Sequence, residues 1–177
     1  MKNIALRPIF FCSLLFLCFA NAKAQLGIVK KPGISIGANF IYSMPQGSFK
    51  DSYQMGVGGE LFGGVGWGST YLLASVGITG YKHQGSYSNT LTAVPVKIGL
   101  KKYFLLKKIF ITGDIGSVAI KSNGEKVNAF TAGFGAGVRL LGLELSLYQN
   151  TFKNNGAYSS VGYSNSLNAK IGWSFAL

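Results

Sequence analysis

Leu167-Asn168-Ala169-Lys170-Ile171-Gly172-Trp173-Ser174-Phe175 alternates without a break between an apolar residue and a small, polar or charged one. A period of two puts the two sets on opposite faces of a β-strand, one greasy and one wet. The same pattern recurs at Ile34–Tyr42, Met55–Gly66, Tyr71–Tyr81, Thr92–Phe104, Ile109–Ile120, Ala129–Arg139 and Leu143–Asn150. In the sixth stretch, Phe130, Ala132, Phe134, Ala136 and Val138 interleave with Thr131, Gly133, Gly135, Gly137 and Arg139. Lengths near 9–11 residues are what a tilted strand needs to cross a bilayer.

Charged residues make up 12% of the chain, against about 25% in a soluble domain. No second long apolar segment follows the N-terminal one, so a membrane helix is excluded. A surface poor in charge and a modest mean hydropathy agree if the strands close into a barrel whose outside faces lipid. The expected fold is therefore all-β, an eight-stranded antiparallel up-and-down transmembrane β-barrel.

Residues 1–24 have the form of a cleaved export signal. Lys2 and Arg7 precede an apolar run from Ile9 to Ala20, and Ala22-Lys23-Ala24 supplies small residues at the cleavage site. A lipoprotein reading through Cys18 meets Leu17, where a small residue is expected. The mature chain, 25–177, then begins at Gln25 as one barrel domain. Cys12 and Cys18 both go with the signal, which leaves no disulfide or thiol chemistry. The chain has 17 Lys and Arg against 5 Asp and Glu. Only Lys2, Arg7 and Lys23 are lost, so the mature protein stays strongly basic.

Connections alternate in length. Short ones fall at Trp67–Thr70, Leu105–Lys108 and Leu140–Gly142. Longer ones, rich in Ser, Asn, Gly and Lys, fall at Ser43–Gln54, Lys82–Leu91, Lys121–Asn128 and Thr151–Asn165. This is the asymmetry of outer-membrane barrels, and an even strand number leaves both termini in the periplasm. Pro45-Gln46-Gly47, Ser122-Asn123-Gly124 and Asn154-Asn155-Gly156 carry turn chemistry.

Glu60, Lys97, Lys101, Asp114, Arg139, Glu144 and Lys170 all fall on the small-residue face, and no strand charge is expected on the bulky face. A Lys or Arg facing lipid at mid-depth costs about 2–4 kcal/mol. The charged face is thus the interior, where charges must pair. A hairpin pairing Phe104 with Ile109 sets Asp114 opposite Gly99, flanked by Lys97 and Lys101. Arg139 falls opposite Glu144, and Glu60 is left to meet Lys170 or Lys97 across the lumen. The expected interior is plugged by ion pairs. Aromatic rings gather near strand ends: Trp67, Tyr71, Tyr103, Phe104, Phe110, Trp173 and Phe175 at one rim, Tyr42, Tyr53, Tyr81, Phe130 and Phe152 at the other. They are expected in the headgroup zone.

Three segments carry a resemblance: Gly33-Ile34-Ser35-Ile36-Gly37-Ala38-Asn39, the run from Val94 to Phe104, and Ala132–Val138 followed by Leu143–Tyr148. Together they resemble the porin-family outer membrane protein β-barrel domain of Gram-negative bacteria. The resemblance spans nearly the whole mature chain. It implies a small outer-membrane barrel and is almost silent on activity. It also implies recognition of a C-terminal aromatic by the barrel assembly machinery. Phe175 would serve, followed here by Ala176 and Leu177.

Three functions fit such a barrel: a structural or interaction role in the envelope, a narrow channel for small solutes, and lipid modification by an enzyme. His83, with Ser86, Ser88, Tyr81 and Lys82 around it, is the catalytic candidate. No carboxylate stands beside it to orient the ring, so a solvated loop histidine is the simpler reading and no enzyme is expected. No metal-ligand spacing and no cofactor motif occurs. Gly56-Val57-Gly58-Gly59 lies inside a strand, away from any strand–helix junction. The expected partners of this monomer are outer-membrane lipids. Lys50, Lys82, Lys121, Lys126 and Lys153 fit two readings equally, contact with lipopolysaccharide and plain solubility of the loops. Nucleic acid is excluded by dispersed basic residues and by compartment.

Overall fold

The computed structural model describes residues 32–84, 90–122, 125–154 and 162–176. The signal, the cleavage site before Gln25, and Ser86 and Ser88 lie outside them. The strands are β1 (Gly33–Gln46), β2 (Tyr53–Trp67), β3 (Thr70–His83), β4 (Thr90–Phe104), β5 (Ile109–Ser122), β6 (Glu125–Leu140), β7 (Leu143–Asn154) and β8 (Gly162–Ala176), with one short helix, α1 (Ser48–Ser52). Each strand pairs antiparallel with the next, and β8 returns to β1 from Ser35 opposite Ala176 to Gln46 opposite Asn165. The result is a closed up-and-down barrel of eight strands.

The register fixes its dimensions. Pairing runs from Thr70 through Lys102, Ile111, Ala136, Leu147, Ala169, Tyr42 and Val57, and returns to β3 at Gly80. One circuit thus climbs from position 70 to position 80 of the same strand. With the standard spacings of strands and residues, that shift tilts the strands by about 40° and sets a radius of about 8 Å. A cylinder that narrow is filled by its own side chains. Outward residues from Phe130 to Leu140 then cover an apolar band about 25 Å tall, the height expected of a membrane barrel. Exposure agrees with this direction: Leu61 is 63% exposed and Phe134 69%, while Lys97 is 6% exposed.

The strands run further than the apolar alternation. All four longer connections are partly strand, and α1 occupies much of the first. Beyond the band the outward face turns polar while the lumen turns apolar at Tyr53, Leu91 and Phe152, so the apolar-out alternation stops marking the strand. Pro45-Gln46 closes β1, and the turn is made at Gly47 (φ 56°).

At the opposite end, which also carries both ends of the sheet, the turns are tight. Gly68 (φ 66°) and Ser69 join β2 to β3. Leu141 (φ 50°) and Gly142 (φ 92°) join β6 to β7 with two positive φ angles, as a short hairpin requires. Leu105, Leu106 and Lys107 have φ of 45°, 56° and 64° between β4 and β5. Left-handed backbone costs a residue other than glycine about 1–2 kcal/mol.

Two expectations need correction. Of the rim aromatics, Tyr71, Tyr103, Phe110, Tyr53, Tyr81 and Phe152 point inward and are buried. Trp67, Phe104, Trp173, Phe175, Tyr42 and Phe130 do face outward. Parity decides this: Tyr103 shares a face with Lys101, and Phe110 lies between outward Ile109 and Ile111. Lys102 is the second correction, because it stands on the outward face. It lies close to the end of β4, where a long side chain can reach the headgroups.

Candidate functional site

The lumen is built in three layers. At the turn end, Tyr71, Tyr103 and Phe110 form a ring cluster, with Tyr71 edge-on to Tyr103 at 5.7 Å. At the loop end, Phe49 of α1 folds into the barrel mouth. It packs on Tyr53, Tyr81 and Phe152 at ring distances of 5.2, 5.0 and 5.4 Å. Leu91, Ala93, Val118, Ile120 and Ala129 complete that cluster. The charges lie between these two layers.

Lys170 Nζ sits 3.0 and 3.2 Å from the two carboxylate oxygens of Glu60, which also accepts a 2.9 Å hydrogen bond from Asn39. Lys97 lies 3.3 Å from Asp114 and donates to the Tyr148 hydroxyl at 3.1 Å and to Asn150 at 3.0 Å. Tyr148 donates a short hydrogen bond to Asp114. Its ring is shared by two cations, Lys170 at 4.1 Å and Lys97 at 4.8 Å from the centroid. Two carboxylates and two ammonium groups are thus paired with further donors and acceptors around them, which is what buried charge demands.

Lys101 departs from the expected pattern. It leaves Asp114 to Lys97 and bonds Glu144 at 2.6 Å instead. Arg139 is opposite Glu144 in register, yet its guanidinium donates to the Ser174 carbonyl at 3.1 Å and lies 5.5 Å over the Tyr103 ring. Glu144 is filled from elsewhere: Tyr103 donates at 2.5 Å and Ser174 at 2.8 Å. Lys101 reaches it across the lumen and rests 4.5 Å above the Phe110 ring. The preference is geometric, since a side chain on the axis side of a narrow barrel meets residues several strands away.

Glycines make the space. A Cβ on Gly133 would collide with the Tyr148 hydroxyl, and one on Gly135 would stand 2.9 Å from its ring. Gly137 clears Phe110 and Gly99 clears Asp114. Two small cavities remain, of about 40 and 30 Å³. Both have Glu60 and Lys170 in their walls, so this ion pair divides them. At about 10–15 Å³ per water, each holds only a few molecules.

Tyr148, Tyr103, Asn39, Asn150 and Ser174 belong to this layer although charge alone did not single them out. Their parity, shared with Glu144, Glu60 and Lys170, was the available signal. His83 lies opposite Tyr53 in the β2–β3 pairing, with its ring edge-on at 5.4 Å. Tyr81, two residues earlier on the same inward face, has its hydroxyl 2.9 Å from that of Ser43. Among the described residues no group of three or more His, Cys, Asp or Glu side chains stands together to hold a metal. Lys50, Lys82, Lys121, Lys126 and Lys153 are all exposed at the loop end, and Lys121 is directly opposite Lys126.

No family model and no curated protein matches this chain. Solved structures do. Ail, the attachment invasion locus protein of Yersinia pestis, is 13% identical with a TM-score of 0.51, covering 81% of this chain and 97% of its own. Ail in complex with the heparin analogue sucrose octasulfate gives a TM-score of 0.52 at the same identity and coverage. The N-terminal β-barrel domain of Pseudomonas aeruginosa OprF is 10% identical with a TM-score of 0.52, covering 80% of this chain and 97% of that one. At these identities the likeness is one of fold: this chain has the architecture of small eight-stranded outer-membrane barrels.

Proposed function

We propose that the protein is a closed, monomeric barrel of the Gram-negative outer membrane, of the small porin-like kind. Its role is structural or interactive, with no enzymatic or cofactor chemistry. The observation that carries this reading is the layered lumen, in which paired charges are capped by packed rings at both ends. The interior charges, Glu60, Lys97, Lys101, Asp114, Arg139, Glu144 and Lys170, serve to close and hold the barrel. In this reading residues 1–24 are removed on export, and the turn end with both termini faces the periplasm. The assembly machinery inserts the chain through its C-terminal strand.

The loop end then meets the outer leaflet. Lys82, Lys121, Lys126 and Lys153 all have outward parity. By the strand tilt they lie within about 7 Å of one height, just above the apolar band. Cations in that position suit the phosphates of lipopolysaccharide, and the polyanion bound to Ail supports the same chemistry. A lipopolysaccharide-binding assay on the Lys→Gln variants tests this partner.

The narrow-channel reading draws on the two cavities on either side of Glu60 and Lys170. Planar-bilayer recording separates the two. The closed barrel gives no steady conductance, and a large stable one would establish the channel. Mass spectrometry of lipid A with and without the protein tests the lipid-modifying reading, for which no change is expected.

A further inference from the structure

Three leucines, Leu105, Leu106 and Leu141, stand in turns at the turn end where turn chemistry calls for Gly, Asn or Asp. Leu105 and Leu106 belong to the β4–β5 turn and are 69% and 93% exposed. Leu141 belongs to the β6–β7 turn and is 89% exposed, beside Leu140 at the end of β6, which is 67% exposed. Leu105, Leu106 and Leu141 also hold left-handed backbone. The two turns are tied together, since Arg139 N donates to the Lys108 carbonyl at 2.7 Å. On the opposite wall, the β2–β3 turn is Gly68-Ser69 and follows ordinary turn preferences.

We infer that the β4–β5 and β6–β7 turns dip into the headgroup region of the lipid leaflet at the turn end, as an apolar foot that the β2–β3 turn lacks. The inference rests on the membrane reading above. The foot is continuous with the lipid-facing band through Phe104, Ile109, Val138 and Leu140, all exposed and outward. Its charges suit an anionic phospholipid surface. Lys102 lies outward just above it and Lys108 is exposed beside it, while Glu144, the nearest carboxylate in sequence to these turns, is turned inward and paired with Lys101. Leucines at the acyl–headgroup boundary bury area that they would waste in water, and lysines there reach phosphate. A lipid surface therefore accounts for leucine at positions whose left-handed backbone favours Gly, Asn or Asp.

The test uses the full barrel with Trp67→Phe and Trp173→Phe, reconstituted in phosphatidylcholine–phosphatidylglycerol vesicles whose acyl chains are brominated near the carbonyl. Leu106→Trp is expected to be strongly quenched and blue-shifted, and Ser69→Trp to be unquenched and open to acrylamide. Equal behaviour of the two would overturn the proposal. Leu106→Asn gives a second readout in the sign of its effect. Asparagine tolerates left-handed backbone, so a foot in water becomes more stable and a foot in lipid less stable in vesicles. Shielding of Leu106→Trp that appears only when copies cross-link would assign the surface to a second copy and also overturn the proposal. Failure of the barrel to float with vesicles would refute the membrane reading itself, a result distinct from an inserted barrel whose position 106 stays in water.

Discussion

The two ends of the lumen are closed by different physics. At the loop end, nine apolar side chains and a five-residue helix form a dry plug around Phe49. At the turn end, three rings pack beside Lys101, Arg139 and Glu144, and the cations lie over the rings. A dry plug is as good as the area it buries. A charged one is good only while every partner is present. The difference says where the barrel is fragile.

The largest effect should come from the charged end. Glu144→Ala strands Lys101 and leaves Tyr103 and Ser174 without their acceptor, and is expected to cost about 3–5 kcal/mol in urea unfolding. Phe49→Ala at the dry end should cost about 3 kcal/mol or less. It should also admit protease between Gln46 and Tyr53 before the barrel unfolds, because α1 can detach alone. Asn39→Ala takes one hydrogen bond from the Glu60–Lys170 pair in the middle layer and should cost about 2 kcal/mol by the same measurement. Thr151→Val removes a 2.8 Å hydrogen bond to Asn165 on the outside of the wall, and should change stability by no more than about 0.5 kcal/mol. Should Phe49→Ala prove costlier than Glu144→Ala, the contrast between the two ends is wrong.

The sequence made the wall legible and the lumen only partly so. Alternation gave the inward and outward faces of Leu167–Phe175 and Ala129–Arg139, and short turns gave the pairing of Phe104 with Ile109 and of Arg139 with Glu144. Lys101 and Glu144 meet across the axis from strands that are not neighbours, and that contact depends on the shear of the closed cylinder. The inward aromatics are a different case. The parity of Tyr71, Tyr81, Tyr103 and Phe110 was readable, but amphipathic rings near strand ends suggested the headgroup zone. Residue type outweighed position there, and position was the better guide. The loop-end strand tips were hidden because the apolar-out alternation ends there: the outer face turns polar and the lumen turns apolar.

Five of the large rings in the lumen each face a glycine on a neighbouring strand: Phe62 faces Gly37, Tyr81 faces Gly56, Tyr71 faces Gly66, Phe110 faces Gly137 and Tyr148 faces Gly135. Neither member of such a pair can drift alone. A methyl on the glycine strikes the ring, and a smaller ring partner leaves a hole beside a bare backbone. Across related genes these five couples should therefore change volume in concert, an epistatic signature that an ordinary count of invariant columns would miss.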